Sequence, residues 1–458
     1  MSSLTTAERE VIRFKEKLGY GLGDMASNLV FTSMGIFLTF YYTDVIGIPA
    51  AIVGTIMLVS RVFDGVSDVL MGVVVDKTRS RHGKARPWLL WMSIPFALAT
   101  ILTFSVPQMD QTLQVIYIFI SYNLLNLVYT AINIPYGVLN ALTTRDPYQR
   151  SLLNIFRIFM ANVGIILVGQ IVMPLVQSFG GGRTGWQLAF TLLGVVSTVL
   201  FLITFASTKE RVETDPRMRE VPIKTGVKAL FSNRYWVMML AFFVSFFILV
   251  ALCFSTPVFY ANHVLGDSSM IGTLILGTVA PQLPALFIMP YFVKRWGKVS
   301  CCRVGLLVMA GSYLLLLTDP HNVQLAVIAT IIKGIGMAPI IGSAFAMLAD
   351  TIDYGEWKTG LRTEGLTYSA GSFGSKVGIG LGSAIVGWVL SLGGYVGGSE
   401  TQTPDAINAI ISIFVSIPCV ISIGLFVLMM FYKMDKIMPR ILADLDKNDG
   451  LTIGEISL

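Results

Sequence analysis

The chain consists of long apolar runs separated by short polar stretches. Each run matches or exceeds, to within a residue, the length of about 20 residues that a helix needs to cross the hydrocarbon of a bilayer. The runs predict twelve membrane-spanning helices, at 18–44, 49–74, 87–106, 113–142, 151–176, 185–207, 235–262, 267–293, 300–318, 322–350, 365–395 and 405–432. In lipid every backbone polar group must be satisfied inside the protein, so we expect an all-α integral membrane protein.

Composition and charge support this interpretation. Hydrophobic residues make up 54% of the chain and charged residues 13%, against about 25% charged residues in soluble domains. Lys and Arg concentrate in alternate loops, such as the stretch from Lys77 to Arg86 and the stretch from Lys209 to Arg234. By the positive-inside rule these loops and both termini lie in the cytoplasm. The net charge of +6 therefore reflects topology, and no nucleic-acid partner is expected.

An internal repeat relates the two halves of the chain. Phe40-Tyr41, Gly47 and Gly54-Thr55 recur as Phe259-Tyr260, Gly266 and Gly272-Thr273, and Gly83-Lys84 recurs as Gly297-Lys298. A parallel repeat of six helices is the design of major facilitator transporters, with a central site between the halves. The alternative is chance similarity, because Gly is common in membrane helices. We expect an N-terminal six-helix bundle at 1–208, a cytoplasmic linker at 209–234, a C-terminal six-helix bundle at 235–433 and a cytoplasmic tail at 434–458.

Ionisable side chains inside the predicted spans point to function, because each costs roughly 2.5–3.5 kcal/mol in the membrane. Six stand out: Asp24, Arg61, Asp64, Asp68, Arg157 and Lys376. Spacings of three and four place Arg61, Asp64 and Asp68 on one helix face. Two carboxylates one turn apart repel when both are ionised, and a monovalent cation or a shared proton relieves that repulsion. Asp64 and Asp68 are therefore the candidate coupling-ion site, and the alternative is a structural Arg61–Asp64 salt bridge.

Polar side chains also form a stripe along the fourth predicted helix. Its members are Tyr122, Asn126, Tyr129 and Asn133, with Thr130 beside them. Phenol rings suit the faces of sugars, and amides suit their hydroxyl groups. The alternative is hydrogen bonding between helices.

Two further helices contribute to the same polar lining. Asp24 and Asn28 share a face of the first predicted helix, and Arg157 lies in the fifth. The guanidinium of Arg157 can donate to sugar hydroxyls or balance the buried acids.

Catalytic or metal chemistry is not expected. We find no pairing of nucleophile and base and no metal-binding cluster, so the sequence does not predict an enzyme. The four cysteines show no spacing typical of a disulfide framework or a zinc site. His82, His263 and His321 lie at or near span ends and receive no role.

Several strings in the chain resemble the glycoside–pentoside–hexuronide:cation symporters, the family of bacterial melibiose permease and the glucuronide carrier. They are Lys17-Leu-Gly-Tyr-Gly-Leu-Gly-Asp24, Phe40-Tyr-Tyr-Thr-Asp44, Arg61-Val-Phe-Asp-Gly-Val-Ser-Asp68, Asp76-Lys-Thr-Arg-Ser-Arg-His-Gly-Lys84 with Arg86-Pro-Trp88, Asn133-Ile-Pro-Tyr136, and Ala349-Asp-Thr-Ile-Asp-Tyr-Gly-Glu-Trp357 followed by Arg362 and Glu364-Gly-Leu-Thr-Tyr368. The resemblance covers residues 15 to 440. It implies a major facilitator fold and sugar import driven by a gradient of Na⁺, Li⁺ or H⁺.

The resemblance also implies roles for particular residues. The cation-site acids of the family match Asp64 and Asp68, and its hydroxyl on the fourth helix matches Thr130. Its sugar-site arginine matches Arg157, and its lysine on the eleventh helix matches Lys376.

Two positions depart from the pattern of melibiose permease. Asn133 stands where that protein uses an aspartate for both cation and sugar, and Asn28 replaces another sugar-binding aspartate. A neutral Asn133 weakens the case for sodium and leaves Asp64 and Asp68 to carry a proton. The loss of both acids implies a different sugar and makes an anionic glycoside easier to accept.

Together these observations predict a secondary transporter for a pentoside, a glucuronide or a related glycoside. We expect proton-coupled symport by alternating access, in a monomer of the bacterial inner membrane surrounded by lipid. The expected cation-coupling residues are Asp64, Asp68, Thr130 and Asn133; the expected sugar-binding residues are Asp24, Asn28, Tyr122, Asn126, Tyr129, Arg157 and Lys376; the expected gating residues of the cytoplasmic loops are Asp76, Arg79, Asp350, Asp353, Glu356 and Arg362.

Alternatives remain for each part of this prediction. Sodium coupling, an uncoupled facilitator and a lysolipid carrier of the same fold are alternatives for the function. The alternative for the gating residues is ordinary loop charge, because exposed ion pairs contribute little. No cofactor is expected beyond the co-transported H⁺ or Na⁺.

Overall fold

Long helices account for most of the chain in the computed structural model, which describes residues 11–144, 147–212, 230–359, 364–399, 401–441 and 443–444. Within these residues each predicted apolar run forms a helix. The helices are α1 (Phe14–Ile46), α2 (Ala50–Lys77), α3 (Arg86–Thr103), α4 (Gln111–Thr143), α5 (Pro147–Ser178), α6 (Gly182–Ser207), α7 (Arg234–Val264), α8 (Met270–Trp296), α9 (Lys298–Leu317), α10 (Val323–Thr359), α11 (Glu364–Leu392) and α12, which continues through Pro404–Ile411, Ser412–Ser416 and Ile417–Phe431.

The surfaces of these helices are those of a membrane protein. Eleven of the described helices are long and apolar enough to cross a bilayer, and α3 is shorter, with 18 residues. Large apolar side chains stay exposed along them, among them Phe63 at 58%, Leu70 at 63% and Phe287 at 74%. Apolar surface of this extent needs a lipid or protein partner. The predicted fold class, an all-α integral membrane protein, is confirmed.

Matching irregularities support the internal repeat. The end of α1 widens into a π-helical segment, Tyr41–Ile46, and Gly47 follows at φ +90°. The end of α7 does the same at Tyr260–Val264, and Gly266 has φ +71°. A side chain is strained at such angles, so glycine is the residue that both turns favour. The predicted correspondence of Gly47 with Gly266 is therefore confirmed in the backbone.

The loops before α3 and α9 carry a second matching feature. The carboxylate of Glu210 accepts hydrogen bonds at 2.8–2.9 Å from three successive backbone N–H groups at the start of α3. At the start of α9, Asp435 Oδ2 accepts from the N–H of Val299 at 2.9 Å. Helix N-termini attract negative charge because their first N–H groups lack partners within the helix. Each acid therefore fixes the entry of the third helix in its half.

The described residues form two compact units. The first unit comprises 1–217, 254–276 and 383–409, and the second comprises 218–253, 277–382 and 410–458. In the first unit, α1 packs against α5 and α6, and α3 packs against α4 and α6. In the second, α9 packs against α10 and α12. The predicted division of the chain at 209–234 stays a prediction.

Glycines allow two close helix crossings within the first unit. Gly54 of α2 faces the backbone of Ala384 and Gly387 of α11. Gly272 of α8, the repeat counterpart of Gly54, faces the backbone of Gly169 of α5. In membranes small residues let helix backbones approach, since lipid supplies no hydrophobic drive for association.

Candidate transport site

A threonine joins the two acids of the predicted coupling-ion site. Asp64 and Asp68 lie one turn apart on α2, and Thr130 faces them from α4. Thr130 Oγ1 lies 3.0 Å from Asp64 Oδ1 and 3.0 Å from Asp68 Oδ1. Asp64 is 4% exposed and Thr130 is 2% exposed. The structure thus brings together three of the four predicted cation-coupling residues.

An arginine holds the other side of Asp64. Arg61 Nη1 lies 3.3 Å from Asp64 Oδ2, so the salt bridge that was the structural alternative exists alongside the contact with Thr130. The guanidinium also lies over the ring of Phe31 of α1, 4.9 Å from its centroid. Phe31 in turn stacks on Tyr129 of α4 at 4.4 Å. This arrangement is a continuous series of contacts from the acid pair to α1.

Two asparagines of the α4 stripe have amide atoms without hydrogen-bond partners among the described residues. Asn126 is 2% exposed, and neither its Oδ1 nor its Nδ2 has a partner there. Asn126 shares a cavity of about 350 Å³ with Asp64. Asn133 Oδ1 is likewise buried and without a partner. The coupling role predicted for Asn133 stays a prediction.

The predicted sugar-binding residues of α1 and α5 form an ion pair. Arg157 Nε lies 3.2 Å from Asp24 Oδ2, and the side chains are 28% and 14% exposed. Asn28 Nδ2 donates to the backbone carbonyl of Asp24 at 2.8 Å. Asn28 Oδ1 accepts from the hydroxyl of Thr32 at 3.0 Å. A partly open ion pair beside an amide offers both donors and acceptors to a polyhydroxylated ligand.

Two tyrosines that the sequence did not single out for this site support the ion pair. The rings of Tyr20 and Tyr136 stack at 4.7 Å, and the Tyr136 hydroxyl donates to the carbonyl of Tyr20 at 2.6 Å. The guanidinium of Arg157 lies 5.0 Å from the centroid of the Tyr136 ring. Tyr136 could have been singled out from the sequence, because it belongs to the string Asn133-Ile-Pro-Tyr136 that carries the family resemblance. Tyr122, which was predicted to bind sugar, is buried at 3% exposure.

The other predicted residues lie elsewhere. Lys376 is half-buried on α11 in the second unit. Arg79 is exposed. Arg362 lies outside the described residues, and Asp76 is on α2 with its side chain also outside them.

The assignment of the acidic gating residues to loops was wrong. Asp350, Asp353 and Glu356 lie on the last turns of α10, which continues to Thr359. Asp76 lies on the last turn of α2. A helix can extend past the lipid because water satisfies its polar face. Asp350 Oδ1 pairs with Lys298 Nζ of α9 at 2.6 Å, while the gating role of these acids stays a prediction.

A buried lysine in the second unit was missed. Lys333 of α10 is 3% exposed, and its Nζ lies 5.4 Å from the centroid of the Phe414 ring and 6.0 Å from that of Tyr313. Lys333 lies inside the predicted span 322–350, so the argument from charges within the membrane could have identified it from the sequence. Aromatic faces attract a cation, so the two rings stabilise the ammonium group there.

A second polar cluster joins the end of α1, the end of α7 and the loop after α11. Asp44 Oδ1 accepts hydrogen bonds from the Tyr395 hydroxyl at 2.6 Å and from Gly398 N–H at 3.2 Å. His263 Nε2 lies 2.9 Å from the Tyr395 oxygen. Burial, followed by the Asp44 carboxylate, raises the pKa of Tyr395 above its usual value, so the phenol keeps its proton. Because that proton goes to Asp44, His263 is the donor to Tyr395.

Comparison with known proteins agrees with these features. The model of the family described as MFS/sugar transport protein matches residues 19–436. The isoprimeverose transporter of Lactiplantibacillus pentosus is 37% identical, over 96% of this chain and 92% of that protein. The putative glycoside/cation symporter YagG of Escherichia coli K12 is 32% identical, over 92% of each chain.

Solved structures show the same fold. A bacterial homologue of the human lysosomal transporter Spinster, in an inward-facing and unoccupied conformation, superposes with a TM-score of 0.66 at 14% identity, covering 96% of this chain and 99% of that one. The chain therefore belongs to the MFS/sugar transport family of membrane transporters, and its sequence motifs are those of the glycoside–pentoside–hexuronide:cation symporters.

Proposed function

We propose that this transporter carries a glycoside together with a cation by alternating access, with a proton as the coupling ion. The observation that carries the proposal is the position of Thr130 Oγ1, 3.0 Å from a carboxylate oxygen of Asp64 and 3.0 Å from one of Asp68. A hydroxyl has one proton and can donate to only one of them. The other contact is favourable when that carboxyl itself carries a proton.

The energetics favour a site that changes its charge during transport. Two ionised carboxylates one turn apart repel, and burial at Asp64 strengthens the repulsion because the surroundings screen it weakly. A proton taken up by the pair removes the repulsion and lets Thr130 bond both acids. Release of that proton restores the repulsion and favours a different arrangement of α2 and α4.

The glycoside site that we propose is centred on Asp24, Asn28 and Arg157. These residues offer carboxylate, amide and guanidinium groups. Tyr129 is stacked on Phe31 through one ring face, and we propose its other face for the sugar ring. A glycoside needs directional hydrogen bonds to its hydroxyls and a flat apolar contact for its ring. The names of the relatives, an isoprimeverose transporter and a glycoside/cation symporter, support this substrate class.

Contacts on the first unit offer a route for coupling. Asp64 contacts Arg61, Arg61 contacts Phe31, and Phe31 lies on the same helix as Asn28, three residues further along the chain. A change at the acid pair can therefore shift α1 and the glycoside site. Such coupling has to make each ligand bind more tightly when the other is present, typically by about 1–3 kcal/mol.

The cellular membrane, the orientation of the termini and the oligomeric state are part of the proposal. We propose a bacterial inner membrane location, which the inner membrane symporter YicJ of Escherichia coli K12 shares by name at 33% identity. We further propose that both termini are cytoplasmic, from the distribution of Lys and Arg, and that the protein acts as a monomer.

Uptake into right-side-out membrane vesicles with imposed gradients tests the proposal. A pH gradient, acid outside, should drive accumulation of a labelled xyloside, glucuronide, galactoside or glucoside. Asp64→Asn and Asp68→Asn should abolish accumulation, and Thr130→Val should lower it. Thr130→Ser, which keeps the hydroxyl, is the matched control and should transport.

Other outcomes would identify the alternatives. Accumulation that follows a sodium gradient at constant pH would replace the proton with sodium. Equilibration without accumulation, unchanged in Asp64→Asn, would identify a facilitator. Transport of a lysolipid, with no response to any sugar, would refute the proposed substrate class.

A further inference from the structure

Lys333 of α10 lies near the depth of the bilayer centre and has no part in the function proposed so far. It follows Val323, the first residue of α10, by ten positions, which is roughly 15 Å along the helix axis. The hydrocarbon core of a bilayer is about 30 Å thick. Lysines close to helix ends extend to the membrane surface. Lys333 is instead 3% exposed, so its amino group stays inside the protein.

Aromatic rings and thiols surround the Lys333 amine, and no carboxylate pairs with it among the described residues. Its Nζ lies 5.4 Å from the centroid of the Phe414 ring of α12 and 6.0 Å from that of the Tyr313 ring of α9. The Tyr313 oxygen lies 3.1 Å from the sulfur of Cys253 of α7, and the buried Cys419 of α12 contacts α9. The titratable groups around the site are therefore two thiols and a phenol, which are ordinarily uncharged near neutral pH.

Glycines hold the backbone beside Lys333 close to the neighbouring helices. Gly334 lies against the backbone carbonyl of Thr278 of α8, and Gly336 lies against that of Gly305 of α9, with no room for a Cβ at either glycine. Small residues permit such close crossings in membranes. The backbone of α10 therefore cannot shift here to bring the amine to water unless these crossings open.

Both protonation states of Lys333 can exist in this site. Cation–π contacts with the two rings stabilise the ammonium form. The neutral amine avoids the cost of a charge buried inside the membrane. A lysine paired with a carboxylate would keep its proton throughout a transport cycle, whereas Lys333 has no such partner among the described residues and can release it.

We propose that the Lys333 amine is a second proton-binding site of this transporter, in addition to Asp64 and Asp68. The amine takes up a proton from water when the crossings of α10 open toward one side of the membrane, and the resulting ammonium returns that proton to water on the other side. Each glycoside is then carried with two protons, one on the acid pair and one on Lys333. This inference rests on the proposed function, because a second proton has a role only in proton-coupled transport.

The accumulation ratio of the glycoside counts the coupled protons in the wild type, without any variant. Right-side-out vesicles, with potassium and valinomycin holding the membrane potential at zero, would receive a pH gradient of about one unit and a labelled xyloside, glucuronide, galactoside or glucoside. One coupled proton supports at most about tenfold accumulation at this gradient, and two support about a hundredfold. The wild type should accumulate its glycoside well above tenfold.

Substitutions of Lys333 assign the second proton to this residue. Lys333→Met keeps an apolar chain and should lower the accumulation ratio about tenfold. Lys333→Arg is permanently charged and should lower it as well. Lys294→Met replaces an exposed lysine at the end of α8 and is the matched control, with an unchanged ratio. Exchange of labelled for unlabelled glycoside at equal pH moves no net proton and should stay within threefold of the wild type in Lys333→Met, which shows that the variant folds.

Several results would overturn the inference. A wild-type ratio that does not exceed about tenfold at this gradient would leave a single coupled proton. A wild-type ratio in Lys333→Arg would show that a fixed charge suffices, and one in Lys333→Met would show that an apolar side chain does. Loss of exchange in Lys333→Met would assign the residue to folding or to sugar movement. Failure of the proposed function would differ from all of these, since the wild type would then accumulate none of the glycosides in response to the pH gradient.

Discussion

The ion pair between Asp24 and Arg157 should contribute measurably to stability, and Asp24→Asn is the change that tests it. The substitution keeps the size of the side chain and removes its charge, which leaves the Arg157 guanidinium without its partner at 3.2 Å. Breaking a fully buried pair from one side costs about 3–5 kcal/mol. Because the two side chains are 14% and 28% exposed, water recovers part of that cost, and we expect a loss of about 2–3 kcal/mol.

A double-mutant cycle separates the pair from its surroundings. The free energy of unfolding would be measured by titrating purified protein in mixed micelles with sodium dodecyl sulfate. Arg157→Gln should also destabilise, and the double variant should lose less than the sum of the two losses, with a coupling energy of about 1–2 kcal/mol. Asn162→Ala on α5 is a suitable control, because that amide bonds only within its helix, to the carbonyl of Ile158 at 2.8 Å, among the described contacts.

The outcome that would refute this reasoning is strict additivity of the two losses. Additive losses would mean that the two groups do not interact in the membrane protein. The double variant should also show different effects on the free energy of unfolding and on glycoside binding. The double variant should fold, with a loss of stability smaller than the sum of the two single losses, and should still fail to bind the glycoside, because both of the side chains that we propose to bind it are replaced.

Three further predictions concern single contacts. Thr130→Val should reduce proton-driven accumulation at least tenfold, whereas Thr130→Ser should retain most of it; equal transport by both would exclude the hydroxyl from coupling. Glu210→Ala should lower the free energy of unfolding by about 1–2 kcal/mol, because three N–H groups at the start of α3 lose their acceptor; an unchanged value would show that water replaces the cap. Tyr395→Phe should cost about 1–3 kcal/mol, since Asp44 loses a buried donor at 2.6 Å. Its raised pKa keeps that donor protonated, so this contribution should persist from neutral pH up to at least the ordinary tyrosine pKa, and its loss near neutral pH in a pH series would contradict the assignment.

The helices were predictable because hydropathy and length decide which segments cross a bilayer. The position at which α10 ends was not predictable in this way, because the segment after residue 350 is polar and yet continues as a helix to Thr359. Thr351, Ile352 and Tyr354 are buried there, whereas Trp357, Lys358 and Thr359 are exposed. A search for apolar runs does not detect a helical segment of such mixed composition. The spacing of Asp64 and Asp68 placed them on one face, and their common partner on α4 came from the family resemblance.

Contacts between distant residues were the part that the sequence could not supply. Asp24 and Arg157 lie 133 positions apart, and nothing in either local sequence identifies the other as its partner. The stacking of Tyr20 on Tyr136 depends on the packing of α1 against α4 in the same way. Lys333 differs, because it lies within the predicted span 322–350 and the argument from intramembrane charge applied to it directly.

Proton movement during transport tests the central claim most directly. Cells that express the protein, depleted of energy and weakly buffered, would receive a xyloside, glucuronide, galactoside or glucoside in the absence of Na⁺ while a pH electrode records the medium. Proton symport predicts alkalinisation on addition of one of these sugars, and Asp64→Asn should abolish it. If no sugar changes the pH while labelled uptake of the same sugar proceeds, the proton is not the coupling ion, and the account of Asp64, Asp68 and Thr130 as a proton site is contradicted.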